Sequence, residues 1–329
     1  RDEGNCRTSR MIGFLVRRAL TLLATLMVAA IIIFTVTEIL PGDPAAVMLG
    51  MTATPETIAA LRTDLGLDAP PMQRFFQWIF GFLTGDLGIS YAYRVPVAGL
   101  IAERLPVTLP LALLAITMAS LLGISLGAIA ASRANGLVDA GIMAGAQVGL
   151  AVPNFWFGIL LVLLFSITLG WFPAGGFPGW QAGFFIGLKA LLLPALALAL
   201  PQGAVLARIT RTAVLEALGE DFVRTARAKG LTRWQTLRRH VMRNAMVPVF
   251  TMLAMQFSFL VAGTIVIENV FALPGLGRLM FQAIGGHDII TVKSLVMVFA
   301  GAVILINAIV DLTYGLIDPR LRLARGVSR

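Results

Sequence analysis

The chain has 329 residues, of which 58% are apolar and only 13% charged, with a mean hydropathy of +0.86 and a formal net charge of +9. That composition excludes a soluble domain folded around one core and defines a polytopic membrane protein. The positive charge does not indicate nucleic acid, because the cations concentrate in loops that flank apolar spans and no basic-plus-aromatic platform for single strands is present. Cys6 is the only cysteine, so a disulfide framework or a thiolate metal site within one chain is excluded.

Residues 1–10 are polar and precede Met11-Ile-Gly-Phe-Leu-Val-Arg-Arg18, which reads as a natural start; they are expected to be an upstream extension or a tag remnant. Arg17 and Arg18 lead into Ala19 to Leu40, about 22 mostly apolar residues, enough for one crossing at 1.5 Å rise per residue. No small-residue cleavage site follows, so this span is read as an anchor whose start the two arginines hold in the cytoplasm.

Pro41-Gly-Asp-Pro44 stops that helix. From there to about Leu105 the chain mixes turn residues with amphipathic pieces such as Gln73 to Leu83, which reads as an external region. Its acids, Asp43, Glu56, Asp64, Asp68, Asp86 and Glu103, outnumber its cations, Arg62, Arg74, Arg94 and Arg104. Asp43 and Asp86 are read as turn caps rather than ligands.

Pro106 to Ala131 is the second expected span, and Asp139 to about Thr168 the third, with Gln147, Pro153 and Asn154 near its middle. Leu169 to Gly176 is an external loop with interfacial aromatics. Gly187 to about Ala207 is the fourth span, Met246 to Val270 the fifth, with Glu268-Asn269 at its outer end, and Thr291 to Ile317 the sixth. Under this scheme 19 of the 26 Lys and Arg residues fall on the side of both termini, which places N and C termini inside. The expected fold is therefore an all-α polytopic membrane protein of six transmembrane helices, N-in and C-in, with an external region between helices 1 and 2.

The one long polar interval after residue 140 is 215–247. Counted from Arg208 to Arg243, the chain around it holds nine cations against three acids, Glu216, Glu220 and Asp221. Phe222, Val223 and Ala226 form a short apolar stripe, with Arg224, Arg227 and Lys229 on the other faces. Gly230 supplies the left-handed position that ends a helix. Thr232-Arg-Trp-Gln235 is a capping box that starts a second helix, with Trp234, Leu237 and Val241 on its apolar side.

Arg224-Thr-Ala226 followed after three residues by Gly230, then a cationic amphipathic helix and a span, resembles the EAA loop of binding-protein-dependent ABC import permeases. RTARAKGL is closest to the dipeptide, oligopeptide and nickel branch, and LPGDP, Gly85-Asp-Leu-Gly-Ile-Ser90 and the loop at 169–176 resemble that branch too. Two departures from the general pattern, Arg224 where Glu is usual and His240-Val-Met-Arg243 where Ile-x-Leu-Pro is usual, favour the peptide branch.

The resemblance implies a type I importer permease in the bacterial inner membrane, with residues 11–105 as first helix plus external region, 106–318 as the permease core of five helices, and 319–329 as a cytoplasmic tail. It implies that Asp221, Phe222, Arg224, Thr225, Ala226, Arg227 and Gly230 dock in a groove of an ATPase subunit, with Ala226 facing that groove. The implied partners are a second homologous permease, two ATPase subunits, an extracytoplasmic substrate-binding protein and membrane lipid, with no nucleic acid. The cargo could be dipeptide, oligopeptide, glutathione, opine or nickel chelate.

No cofactor is expected in this chain, ATP and magnesium being bound by the partners. Its three lysines, Lys189, Lys229 and Lys293, do not follow a glycine as in a phosphate-cradling loop, and neither His-Glu-x-x-His nor Gly-x-Ser-x-Gly occurs, so no catalytic or metal residue is assigned. Gln147, Asn154, Gln202, Gln256 and Asn307 are candidates for the translocation path, although each could equally hold the bundle by interhelical hydrogen bonds. Asp311 is read as pairing with a nearby arginine rather than coupling an ion. A secondary carrier or channel not coupled to ATP is the alternative class, though the buried acids and inverted repeats of such carriers are not evident.

Overall fold

The computed structural model describes residues 2–39, 43–50 and 53–317, and these contain helices and no strand beyond one isolated bridge between Ile89 and Pro96. The first helices are α1 (Asp2–Ile39), α2 (Pro44–Leu49), α3 (Pro55–Asp64), α4 (Pro71–Thr84) and α5 (Val97–Ser132). There follow α6 (Leu137–Ala151), α7 (Asn154–Leu161), α8 (Phe184–Gly219) and α9 (Asp221–Ala228). The last are α10 (Arg233–Thr236), α11 (Met242–Val270), α12 (Leu276–Gly285) and α13 (Ile289–Ile317).

Five helical stretches are long and apolar enough to cross a membrane: Val16–Ile39, Val97–Ser132, Phe184–Gly219, Arg233–Val270 and Ile289–Ile309. The expected third span is not one rod. α6 and the segment from Asn154 to Thr168 meet at 103°, so they make a sixth crossing only if the bent pair is one span. The cause is Pro153, which lacks an amide donor and forces the residue before it out of the helical region; Val152 sits at φ −87, ψ 123. The side chain of Asp311 and the expected tail at 319–329 lie outside the described residues.

The chain divides into two compact units, residues 1–104 with 279–329, and residues 105–278. In the first, α4 packs along α1 and α13: Ala30, Ile33 and Met297 form a buried cluster against which Phe75, Trp78, Ile79 and Phe82 lie. Arg74 joins Glu38 at 2.5 Å. Asp43 caps α2 by accepting from the Ala45 amide at 3.0 Å, and Asp86 accepts from the Gly88 amide at 3.1 Å, the turn roles expected of both. Asp288, fully buried, caps α13: its Oδ1 accepts from the amides of Tyr91 at 3.1 Å and Thr291 at 3.2 Å, and its Oδ2 accepts from the hydroxyls of Ser90 and Thr291. Burial first, and the charge of Asp288 second, push the Tyr91 phenol up to about 12.

The second unit is built on α5, α8 and α11. Gly123 and Gly127, a glycine pair one turn apart on α5, let α8 approach so closely that an added Cβ would lie 2.8 Å from the Gly203 carbonyl or 2.6 Å from Thr210 Cβ. Pro110 on α5 leaves the carbonyl of Pro106 without its helical donor. Trp180 supplies one, its Nε1–H donating to that carbonyl at 2.8 Å. Two apolar clusters fill the unit, one around Leu111, Leu191, Leu260 and Phe271, the other around Leu206, Val214, Val241 and Val249.

Candidate functional site

α8 does not stop at the expected membrane edge near Ala207 but continues as helix to Gly219. Glu220, extended at φ −73 and ψ 150, turns the chain into α9. α9 is held on its inner side by Val223, 2% exposed, and Ala226, 6% exposed, while Leu237, Val241, Ala217 and Ala245 are buried in the same part of the unit. Its other faces carry Asp221, Arg224, Thr225, Arg227 and Lys229, all exposed, with Phe222 half-buried. Arg224 and Asp221 pair loosely at 3.5 Å, with side chains 82% and 95% exposed.

The helix ends as its sequence dictates. Gly230 adopts φ +87, its amide donates to the Arg227 carbonyl at 2.9 Å, and the Leu231 amide donates to the Ala226 carbonyl at 3.3 Å. The Thr232–Gln235 capping box is formed in both directions: the Gln235 amide donates to Thr232 Oγ1 at 3.3 Å, and the Thr232 amide donates to Gln235 Oε1 at 3.0 Å. α10 then runs without a break through a π-helical turn, Leu237–Val241, into α11. The wide turn buries Leu237 and Val241 and leaves Arg238, Arg239 and His240 exposed.

Two expectations for this elbow are corrected. Ala226 does not face outward towards a partner's groove, since it is buried within its own chain; its small side chain is needed because α9 lies close on the unit beneath it. Trp234 does not share the packed side of the second helix but is 68% exposed, and the buried position is taken by Thr236, whose hydroxyl donates to the Thr232 carbonyl at 3.0 Å.

The candidate path residues are more scattered. Gln147 is exposed, Asn154, Gln202 and Asn307 are half-buried, and Gln256 is buried, its Nε2 lacking a partner among the described residues. No side-chain hydrogen bond joins these five residues to one another among the described residues. Asn154 stands at the bend after Pro153 and lies beside Gly263 of α11.

Two acids to which the sequence assigns no role, Asp139 and Glu268, make polar contacts between helices of this unit. Arg211 on α8 grips Asp139 on α6 with two bonds, Nε to Oδ1 at 2.6 Å and Nη2 to Oδ2 at 2.7 Å. Asp139 also accepts from the Asn135 amide at 2.9 Å, which fixes the turn before α6. Glu268, fully buried at the end of α11, accepts from the Thr108 hydroxyl at 2.6 Å and from the Arg278 amide at 3.1 Å, while Thr108 Oγ1 accepts from the Leu276 amide at 2.8 Å. The available signals were an acid at the start of one apolar run and another just before the Leu-Pro-Gly-Leu-Gly turn.

Apolar helices long enough to cross a membrane, with a cationic two-helix elbow between two of them, define a polytopic membrane protein. Residues 123–323 match the family described as binding-protein-dependent transport system inner membrane component, and residues 11–112 match the N-terminal family of the same membrane components. The chain is 42% identical over 312 residues to a peptide transport system permease protein of Brucella abortus strain 2308, covering 95% of this chain and 99% of that protein. It is 38% identical over 312 residues to the glutathione transport system permease protein GsiC of Escherichia coli K12, again over 95% and 99% of the two chains. In fold it is similar to a chain of the MetNI methionine ABC transporter in inward-facing conformations, with TM-score 0.50 and 17% identity over 70% of this chain and 97% of that one.

The chain belongs to the family of inner membrane components of binding-protein-dependent transport systems. It is a multi-pass bacterial inner membrane protein and the permease subunit of an ATP-driven type I ABC importer, which sets aside a carrier or channel independent of ATP.

Proposed function

We propose that this chain forms half of the translocation pore of an importer for peptides or related small solutes, and that the elbow at 215–247 couples it to an ATPase subunit. The relatives named for peptide and glutathione transport support the cargo class. The observation that carries the coupling role is the build of α9: a buried inner side that fixes it to the bundle, and an outer side of exposed Asp221, Arg224, Thr225 and Arg227 closed by the left-handed Gly230. Rigid support beneath and charge above transmit movement, whereas a loosely held basic loop would only bind lipid head groups. A second homologous permease, two ATPase subunits holding ATP and magnesium, and a substrate-binding protein complete the assembly in this reading. Gln147, Asn154, Gln202, Gln256 and Asn307 remain its candidate path residues, with Asn154 favoured by its place at the bend.

The test is charge reversal on the exposed face. Arg224→Glu with Arg227→Glu should abolish uptake and release the ATPase subunits on purification, while the second permease stays bound. Unchanged uptake and an unchanged complex would make the elbow a lipid-facing anchor.

Six crossings with both termini inside are part of the same proposal, the bent α6–α7 pair counting as one span. In a Cys6→Ser background, single cysteines at Ala69, Ala174 and Gly286 should react with an impermeant thiol reagent added outside intact cells, and one at Ala228 should not. If the bent pair is instead re-entrant, Ala69 labels but Ala174 does not, and Ala228 becomes reachable.

A further inference from the structure

α4 lies in what the sequence presents as an external region, yet its surroundings are those of a helix in the membrane. Its neighbours on α1 run from Glu38 back to Ala30, and on α13 from Lys293 to Ala300. Both stretches fall inside spans, Val16–Ile39 and Ile289–Ile309. Nine residues separate Ile39 from Ala30, about 13 Å of helix, so α4 sits beside the part of α1 that passes through one leaflet.

Three stripes divide its surface when residues are placed at about 100° each. Phe75, Trp78, Ile79 and Phe82 pack on α1 and α13. Met72, Phe76, Phe80 and Leu83 form the next stripe and are 67%, 62%, 70% and 78% exposed. Gln73, Gln77 and Thr84 form a polar edge beyond it, and all three are exposed. On α1 itself Ile31, Ile32 and Val36 are also about half exposed or more.

A second feature agrees. The Lys293 ammonium lies 5.0 Å from the Trp78 ring centre and 5.2 Å from that of Phe34. A cation one turn into a span is costly against lipid, and α4 supplies one of the two aromatic faces that screen it.

We infer that α4 is embedded in the membrane, its Met72, Phe76, Phe80 and Leu83 stripe seated among lipid acyl chains and its Gln73, Gln77, Thr84 edge turned to the head groups and water. The region between the first two spans is thus partly an interfacial element that widens the lipid-facing wall of α1, at the end of α1 remote from Arg17 and Arg18. Its occupant is lipid rather than protein, because α4 packs beside stretches of α1 and α13 that lie within membrane spans, at a depth where acyl chains surround the bundle.

Single cysteines at Phe76, Gln77 and Phe80, in a Cys6→Ser background, are labelled with an environment-sensitive fluorophore. The intact transporter is then reconstituted in phosphatidylethanolamine–phosphatidylglycerol vesicles with or without spin-labelled acyl chains. The labels at 76 and 80 should emit to the blue of the label at 77 and be quenched by the spin-labelled chains, and the label at 77 by aqueous iodide. Emission at 76 and 80 matching that at 77, with iodide quenching, would place the stripe in water. Blue-shifted emission that neither quencher reaches would mean that another subunit covers it. Either outcome overturns the inference. The readout does not depend on cargo, on ATPase docking or on which leaflet is involved, so it can fail while the permease reading stands.

Discussion

The elbow at 215–247 and the hairpin at 268–278, where α11 turns into α12, occupy one structural unit and use their polar residues in opposite ways. In the elbow the charges face out: Arg224, Arg227, Lys229, Arg238 and Arg239 are exposed, and only apolar groups and Thr236 point inward. In the hairpin the carboxylate of Glu268 is fully buried and is met by the hydroxyl of Thr108 and the amide of Arg278. A polar group turned outward costs little and remains free to recognise a partner. The same group turned inward must be satisfied completely, and once satisfied it fixes the backbone around it. On this view the elbow is a recognition surface on a stiff base, and the hairpin is a fastening.

The largest test of that contrast is Glu268→Ala. It leaves the Thr108 hydroxyl and the Arg278 amide without an acceptor in a closed site, a loss of about 3 kcal/mol. Thermal denaturation of the purified protein should show it directly, and Glu268→Gln, which keeps the shape and one acceptor, should lose less. An unchanged melting temperature for the alanine variant would remove the fastening. Asp139→Ala comes next, since it strips Arg211 of both bonds and leaves the Asn135 amide unpaired. A lower melting temperature is expected, partly regained when Arg211→Met is added, because the second change removes the stranded charge.

These two fastenings also mark where the sequence stopped being informative. The spans were legible because each is a local run of apolar residues, and the elbow because its signals, the stripe at 222–226, Gly230 and the Thr232–Gln235 box, act over three or four positions. Glu268 finds its hydroxyl donor 160 residues away and Asp139 its arginine 72 residues away, distances over which no spacing rule operates. The bend at Pro153 fell between these cases. The proline was visible, but whether it kinks a rod or turns it through 103° depends on the packing around it. Trp234 falls outside the packed side because the chain around α10 buries Thr236 and Leu237 instead, a choice that helical spacing alone does not reveal.

Gly230→Val has a smaller effect on stability than either fastening. No atom lies within 4 Å of the Cβ it would add, so the cost is confined to the left-handed backbone, about 1–2 kcal/mol, and is met by unwinding the end of α9 rather than the bundle. Uptake should be lost and ATPase copurification weakened while the melting temperature hardly moves. Ala226→Arg does not separate these effects, since the position is buried and a large charged side chain would lift α9 from its base.

The smallest expected change in stability is that of Trp234→Ala. With 68% of the residue exposed, its removal should alter the unfolding free energy by no more than about 0.5 kcal/mol. A large aromatic ring left in the open on an elbow that also exposes six arginines and a lysine is the kind of anchor that protein interfaces concentrate on. Association with the ATPase subunits should therefore weaken by far more than folding does, and the two are separated by comparing melting temperature with the ATPase yield on copurification. A clear fall in melting temperature with an intact complex would return Trp234 to the packed side beside Leu237 and Val241, and would make the outer face of the elbow a matter of charge alone.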